Sequence, residues 1–388
     1  MLGILVMNIV AMGMPVYAYV DPFYYGGATG ADLAAWALAY VFADGKMRAL
    51  FTMLFGASLL LIADRAERPA WLHYRRMGVL LLFGMAHAWL LWFGDILVEY
   101  ALVGAVAFIG WRWRPAALLS VAALCFAFAL ADDLLAWQQL AALRAAALAP
   151  GAMPGVVEAW QSVLAAATPQ PSMIAREIAL YRGGFAHVMA ARAPTTLMFQ
   201  TRLLALSFPE TLGYVALGMA LYRLGCFGGA WRLGVYRLLV GAGVAAAALE
   251  VPVSQMLVAA RFDPATIPLA DALSFVLRPW LALGYVAAIV LVVRAGRLRG
   301  AIARLAAAGR MALSNYIATS LVATTLFYGY GAGLYGRLDR AELYLVVAAI
   351  WAMMLLWSPA WLTRFAYGPL EWVWRATSRG VRPRFRSM

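Results

Sequence analysis

The stretch GMAHAWLLWFGDILVEYA, residues 84–101, sets His87, Asp95 and Glu99 in a run that otherwise reads as hydrocarbon. An imidazole within reach of a carboxylate is the minimum equipment of a general base, because the acid orients the ring and stabilises the charge it gains with a proton. The same three residues would also serve a proton relay. Asp95 follows Gly94 and stands where it can cap the next helix, with Glu99 one turn later on the same face. Asn8, the lone polar residue of LVMNIV, offers an amide either to a neighbouring helix or to a developing oxyanion. The segment GRMALSNYIATSLVATTLFYGYGAG adds Ser314, Asn315, Tyr316, Ser320, Thr324, Thr325 and Tyr328. Hydroxyls in such a helix often back-bond to its own carbonyls, whereas Asn315 and Tyr316 are expected to line a cavity.

Membrane helices must position these groups. Of the 388 residues, 65% are hydrophobic and 13% charged, with a mean hydropathy of +0.79, beyond the usage of soluble domains. The expected fold class is an all-α, polytopic membrane protein with about ten transmembrane helices and an extracytoplasmic helical cap. The spans fall near 1–20, 47–63, 77–93, 95–110, 115–131, 205–222, 238–258, 272–293, 311–330 and 342–362. His87 then lies about ten residues into the third span, near the middle of the bilayer, where an ionisable side chain needs a polar interior or a partner. A histidine that only fixes helix packing is the alternative.

Most arginines fall on one side of these spans: in 64–76, in WRWR, in 223–237, in 294–310 and beyond 364. That bias places both termini in the cytoplasm. On the opposite side, 132–204 carries ADDLLAWQQLAALRAAALA at helical spacing with PGAMPG and TPQPS as punctuation, and is expected to form the cap from two or three interfacial helices. Residues 31–45 are expected to form another interfacial helix. The whole of 1–388 reads as a single membrane domain, and its first 20 residues, without a charged n-region or clear cleavage site, as a retained helix.

The net charge of +13 is explained by orientation in the membrane, so no nucleic-acid partner is expected. Cys125 and Cys226 lie in apolar runs without a CxxC pattern and read as packing residues, with no metal site. No Walker loop, GxGxxG fingerprint, HExxH motif or GxSxG elbow appears. Lys46, the single lysine, is expected either to snorkel to the interface or to supply a compact charge to a pocket. Arg75, Arg76 and Arg310 flank cytoplasmic helix ends, where they either mark topology or dock a phosphorylated donor.

Read together, MLGILVMNIV, DGKMRALFTMLFGASL, RRMGVLLLFGMAHAWLLWFGDILVEYAL, GRMALSNYIATSLVATTLFYGYGAGLYG and WSPAWLTRFAYGPLEWVWR resemble the YeiB-like bacterial membrane proteins over nearly the whole chain. The resemblance implies a C-terminal YeiB-like region of unknown function over 220–388 and placement in the bacterial cytoplasmic (inner) membrane. The family is similar, more distantly, to the transmembrane acyltransferases that include the acyltransferase-three proteins and heparan-alpha-glucosaminide N-acetyltransferase, which implies acyl transfer across the membrane. Carried over, Asn8 matches the family's first-helix asparagine, and His87 and Asp95 match its H…GDIL motif. Members usually carry an acidic residue and an Arg-Gly pair just ahead of the LGI that begins here at Leu2, and this sequence starts after them. The distant acyltransferases take their histidine from the neighbourhood of the first helix; residues 9–46 hold none, so His87 would act from another helix.

The leading expectation is therefore a multi-pass acyltransferase-like protein with acyl-CoA as donor. Its phosphates would lie near Arg75, Arg76, Arg310 and Asn315. His87, oriented by Asp95, would deprotonate a hydroxyl or amine of a lipid-linked or glycan acceptor while Asn8 stabilises the oxyanion. Lys46, Glu99, Tyr316, Ser320 and Tyr328 would line the pocket. Membrane lipid and a second copy in a homodimer are the other expected partners. The rival is a proton-coupled transporter or permease for a small polar or lipid-like solute, with His87, Asp95 and Glu99 as its relay. A non-catalytic membrane scaffold is the third reading.

Overall fold

In lipid every backbone polar group must be satisfied within the structure that carries it, and this sequence meets that demand with helices. The computed structural model describes residues 1–386, among which there are seventeen α-helices and no strand beyond an isolated bridge between Phe365 and Arg386. The chain opens with α1 (Leu2–Gly13) and the short α2 (Tyr17–Val20), then α3 (Gly30–Phe42) and α4 (Lys46–Ala63). A hairpin follows, α5 (Pro69–Leu90) and α6 (Leu97–Ala107), then the long α7 (Pro115–Ala147). Next come α8 (Pro154–Ala167), α9 (Pro171–Tyr181), α10 (Phe185–Met198) and α11 (Leu204–Arg223). The C-terminal half consists of α12 (Leu233–Ala259), α13 (Ile267–Arg294), α14 (Arg299–Arg310), α15 (Ala312–Phe327), α16 (Arg340–Leu362) and α17 (Pro369–Arg379). Proline occupies the first turn of α5, α7, α8, α9, α13 and α17, where its missing N–H costs no hydrogen bond.

Six helical stretches are long and apolar enough to cross a membrane: Gly30–Ala63, Pro115–Ala147, Phe185–Arg223, Leu233–Ala259, Ile267–Arg294 and Arg340–Leu362. Three shorter apolar helices, Leu2–Gly13, Leu97–Gly110 and Ala312–Phe327, join them. Leu82, Leu124, Phe128, Leu238, Val244, Leu345 and Leu356 stand exposed on α5, α7, α12 and α16. Water penalises such a surface and lipid does not.

Element boundaries depart from the sequence expectation in several places: the span expected at 1–20 breaks after Gly13 into α1 and α2, and the helix expected at 31–45 is part of the apolar stretch Gly30–Ala63. Helix α7 does not stop near residue 131 but runs on to Ala147, because no proline or glycine interrupts it after Pro115. ADDLLAWQQLAALRAAA is thus the continuation of a span rather than a separate interfacial helix. Helix α10 passes through a π-helical segment, Phe199–Leu203, directly into α11, so the span expected at 205–222 begins further upstream. On α9, Glu177 accepts hydrogen bonds from the Val16 amide at 3.0 Å and the Tyr335 hydroxyl at 2.8 Å. These bonds join the 148–184 segment to the turns after α1 and before α16. Burial pushes this carboxyl above its usual range, although both bonds pull it down.

Helix α1 is central. Leu5, Ile9, Val10 and Met12 pack with Ala323 and Phe327 of α15 and with Leu343, Val347, Ile350 and Met354 of α16. A second cluster, Leu60, Met77, Leu80, Tyr100, Val215, Met219 and Tyr316, joins α4, α5, α6, α11 and α15. Helices α12 and α13 meet at Gly243 and Gly284, where a Cβ on either would come within 2.9 Å of the other's Cα. Such close approach gives membrane helices dispersion contact that no hydrophobic force supplies. Gly284→Leu is therefore expected to cost about 1–3 kcal/mol and lower the melting temperature in detergent. Gly241→Leu, where the added carbon meets open space, should not. Equal melting of both variants and the parent would contradict this packing.

Candidate active site

The site begins with a glycine. A Cβ on Gly84 would stand 2.6 Å from the Val98 backbone nitrogen and 2.9 Å from Asp95 Oδ2, so only a bare backbone lets the start of α6 settle against α5. One turn further along α5, the His87 Nδ1 lies 2.8 Å from Asp95 Oδ1, with both side chains almost fully buried. The other carboxylate oxygen accepts the Val98 N–H at 2.8 Å. Asp95 thus caps α6 and holds the imidazole at once; the two roles read from the sequence as alternatives coexist. A carboxylate only accepts hydrogen bonds, so Nδ1 carries a ring proton, and in the neutral tautomer this selects, Nε2 holds the lone pair. That nitrogen lies 2.8 Å from Ser320 Oγ, contributed by α15.

Ser320 is one of the hydroxyls of the bundle that reach a side chain on another helix, as Thr211 reaches Glu99 and Ser274 reaches Glu250. Thr52 and Thr324 give theirs to carbonyls of their own helices, the usual outcome in apolar surroundings, whereas the Ser320 hydroxyl is turned to His87. Tyr316, one turn earlier on α15, packs its ring 4.8 Å from the imidazole, and its oxygen accepts the Ile96 N–H at 3.4 Å. Asn8, Tyr316, Thr319 and Ser320 share the wall of a cavity of about 10 Å³, closed by Met1, Ile4, Leu5, Met12 and Met354. This space suits about one water. Asn8 and Ser320, distant in sequence, therefore face one small volume beside His87.

Arg192 fixes the helix that carries His87. It is buried on α10 and donates to the carbonyls of Leu91 and, at 2.6 Å, Trp89, which α5 cannot satisfy at its own C-terminus. Nothing in its local sequence marked it for this task.

Other sequence candidates lie elsewhere. Glu99 turns away from His87 and accepts the Thr211 hydroxyl at 2.6 Å. It belongs to a network in which Arg48 contacts Thr211 and pairs with Glu210, whose second oxygen takes Arg278 at 2.6 Å. Lys46 does not snorkel. Its Nζ is 2.8 Å from Glu250, both side chains are fully buried, and Tyr40 O and Ser274 Oγ complete its shell at 2.9 and 3.2 Å. The reason is its place at the tight Gly45 turn between α3 and α4, covered by α12 and α13.

Asn315 is fully buried and is not among the residues that line the Asn8 cavity. Its amide donates to Ala308 O at 2.9 Å and Ser358 Oγ at 3.1 Å while accepting from Trp357 at 2.9 Å, which ties α14, α15 and α16 together. Tyr328 is buried in a cluster with Tyr181, Tyr330 and Tyr335, away from the Asn8 cavity. Arg75 donates to Thr377 O at 2.7 Å, Arg76 stacks 4.1 Å from Trp374, and Arg310 donates to Ala366 O at 3.3 Å. All three address α17 and its approach.

Sequence reading passed over Glu210, Glu250 and Arg278, although each is a charge inside an apolar run, the signal that singled out His87. Removing one partner of a buried pair leaves the other uncompensated at about 3–5 kcal/mol. Lys46→Met should therefore unfold at clearly lower temperature than Lys46→Met combined with Glu250→Leu. A single variant as stable as the double one would contradict the pairing.

Comparison with known proteins places these residues in a lineage. The family described as "Protein of unknown function (DUF418)" matches residues 221–380, a stretch that holds Ser320 but not Asn8, His87 or Asp95. The protein named YeiB of Escherichia coli (strain K12), described as uncharacterized, is 32% identical over 385 residues, covering 96% of this chain and 92% of the relative. YxaH of Bacillus subtilis (strain 168), likewise described, is 29% identical over 398 residues, covering 97% and 90%. A 39.9 kDa protein encoded beside an amylase in Bacillus acidopullulyticus is 36% identical over 97 residues, covering 25% and 28%. No solved structure matches.

Proposed function

The chain belongs to the YeiB-like family, and we propose that it is a multi-pass membrane acyltransferase, moving an acyl group such as acetyl from cytoplasmic acyl-CoA to an extracytoplasmic or lipid-linked acceptor. One observation carries the reading: His87 is held by Asp95 through one ring nitrogen and turns the other toward a hydroxyl at a cavity wall shared with Asn8. An imidazole so placed takes a proton from a nucleophile as that nucleophile attacks a carbonyl, and the buried carboxylate stabilises the imidazolium. The Asn8 amide, without a hydrogen-bond partner among the described residues, supplies a donor where the carbonyl oxygen gains charge. Entry of an acyl chain requires Met1, Met12 and Met354 to swing aside, which flexible thioether side chains do at low cost.

A topology of ten spans supports this assignment. The six long apolar stretches, α5 and the three shorter apolar helices make up that number, with the arginine bias setting both termini in the cytoplasm of a bacterial inner membrane. Helices α8 and α9 then belong to an extracytoplasmic cap. Arg75, Arg76 and Arg310 form no ion pair among the described residues and suit the donor's phosphates.

The ion pairs on α4, α11, α12 and α13 favour a second reading, proton-coupled transport of a small polar solute, because buried intramembrane charges mark such pathways. Turnover separates the two. Purified protein should release free CoA from acetyl-CoA in the presence of a glycan or lipid acceptor extract, and His87→Ala should lower that rate at least about 10²-fold. Undiminished release by the variant, or solute-driven proton uptake in proteoliposomes without any release, would overturn the transferase reading.

A further inference from the structure

The hydroxyl that meets His87 belongs to the protein. Ser320 Oγ is 2.8 Å from Nε2 and 1% exposed, while Asp95 fixes the tautomer from the other side of the ring. Acid, imidazole and hydroxyl stand in the order that activates a serine for nucleophilic attack. The adjoining space holds about one water, too little for either an acyl group or an acceptor until its methionines move. A reaction that admits them one after the other needs a place to keep the acyl group between visits.

We propose, resting on the acyl-transfer reading above, that Ser320 is that place: the nucleophile that carries the acyl group as an ester between donor and acceptor. In the first step Ser320 Oγ attacks the thioester carbonyl and its proton passes to His87 Nε2. The tetrahedral centre collapses, the carbon–sulfur bond breaks, and the CoA thiolate leaves with the proton from His87 as a free thiol. In the second step an acceptor hydroxyl or amine gives its proton to His87 and attacks the ester. The Ser320 oxygen then leaves and takes that proton back, restoring the starting state. Two donors are placed for the oxyanion. One is the Asn8 amide; the other is the phenol of Tyr316, whose oxygen accepts the Ile96 N–H and so keeps its own proton free for the cavity it lines.

The sequence alone held no sign of this role. Ser320 lies in IATSLV, outside any nucleophile-elbow pattern, and its partner His87 is 233 residues away.

The test is acceptor-free incubation of the full chain in detergent with acetyl-CoA and, separately, with p-nitrophenyl acetate, followed by acid quench, proteolysis and mass spectrometry. An acetyl adduct on Ser320 is expected from at least one donor, released by alkaline hydroxylamine. It should be absent in Ser320→Ala and His87→Ala, and retained as a thioester in Ser320→Cys. Thermal melting of each variant separates a lost nucleophile from a lost fold. Acceptor-dependent CoA release by Ser320→Ala at the parental rate, without any adduct in the parent, would overturn the role of Ser320 and leave direct transfer by His87 standing. No adduct from either donor on a folded parent protein would also overturn it. Failure of the parent to release CoA while p-nitrophenyl acetate still labels Ser320 would remove the CoA donor and keep the nucleophile.

Discussion

A carboxylate in hydrocarbon is costly unless its oxygens find donors, and Asp95 finds them in two different elements. One oxygen closes the first turn of α6 through the Val98 N–H; the other holds the His87 imidazole on α5. The start of one helix and the orientation of a ring on another are therefore set by a single group. What surrounds it serves that arrangement. Gly84 removes the side chain that would push Asp95 away, Arg192 fixes the end of α5, and Tyr316 backs the ring. With the imidazole fixed, its free nitrogen can point in one direction only, and that direction holds Ser320.

Two of the bundle's polar systems share α6. At its head Asp95 belongs to the hydroxyl–imidazole site; one turn later Glu99 belongs to the ion-pair network with Thr211, Arg48, Glu210 and Arg278. Two guanidinium groups there stand with two carboxylates, and Lys46 balances Glu250 separately. Such internal neutrality is what allows charges to remain deep in a helical bundle, since each removed partner leaves an uncompensated ion. The first system aims a ring nitrogen at a hydroxyl beside a cavity; the second consists of opposite charges paired with one another. The proposed chemistry is placed in the first for that reason.

Much of this was legible in the sequence, for identifiable reasons. His87 and Asp95 are eight residues apart across a Gly-Asp turn, so a hairpin was enough to bring them together. The all-α class followed from long apolar runs. Helix α7 ran past its expected end because composition marks where a span enters the interface, whereas a helix can continue beyond it, and no proline or glycine occurs between Pro115 and Ala147 to favour a stop. Lys46 was misplaced because the reading weighed a lone lysine against the interface and overlooked Glu250 in VAAAALEVPV. The partnership of Ser320 with His87 depends on how α15 packs between α1 and the hairpin, a tertiary fact with no local pattern. The same holds for Arg192.

The central claim is that Asp95, by fixing the tautomer of His87, activates Ser320. The most direct measurement is the rate at which a small fluorophosphonate modifies the protein, forming a bond from Ser320 Oγ to phosphorus as fluoride leaves, in the parent and in Asp95→Asn. Asparagine caps a helix as well as aspartate does, but with its oxygen on the Val98 N–H its amide must face Nδ1 and moves the ring proton to Nε2. The expected result is modification at Ser320 in the parent and a rate at least about 10²-fold lower in Asp95→Asn at unchanged melting temperature. Equal rates in the two proteins, or modification at another residue, would contradict it.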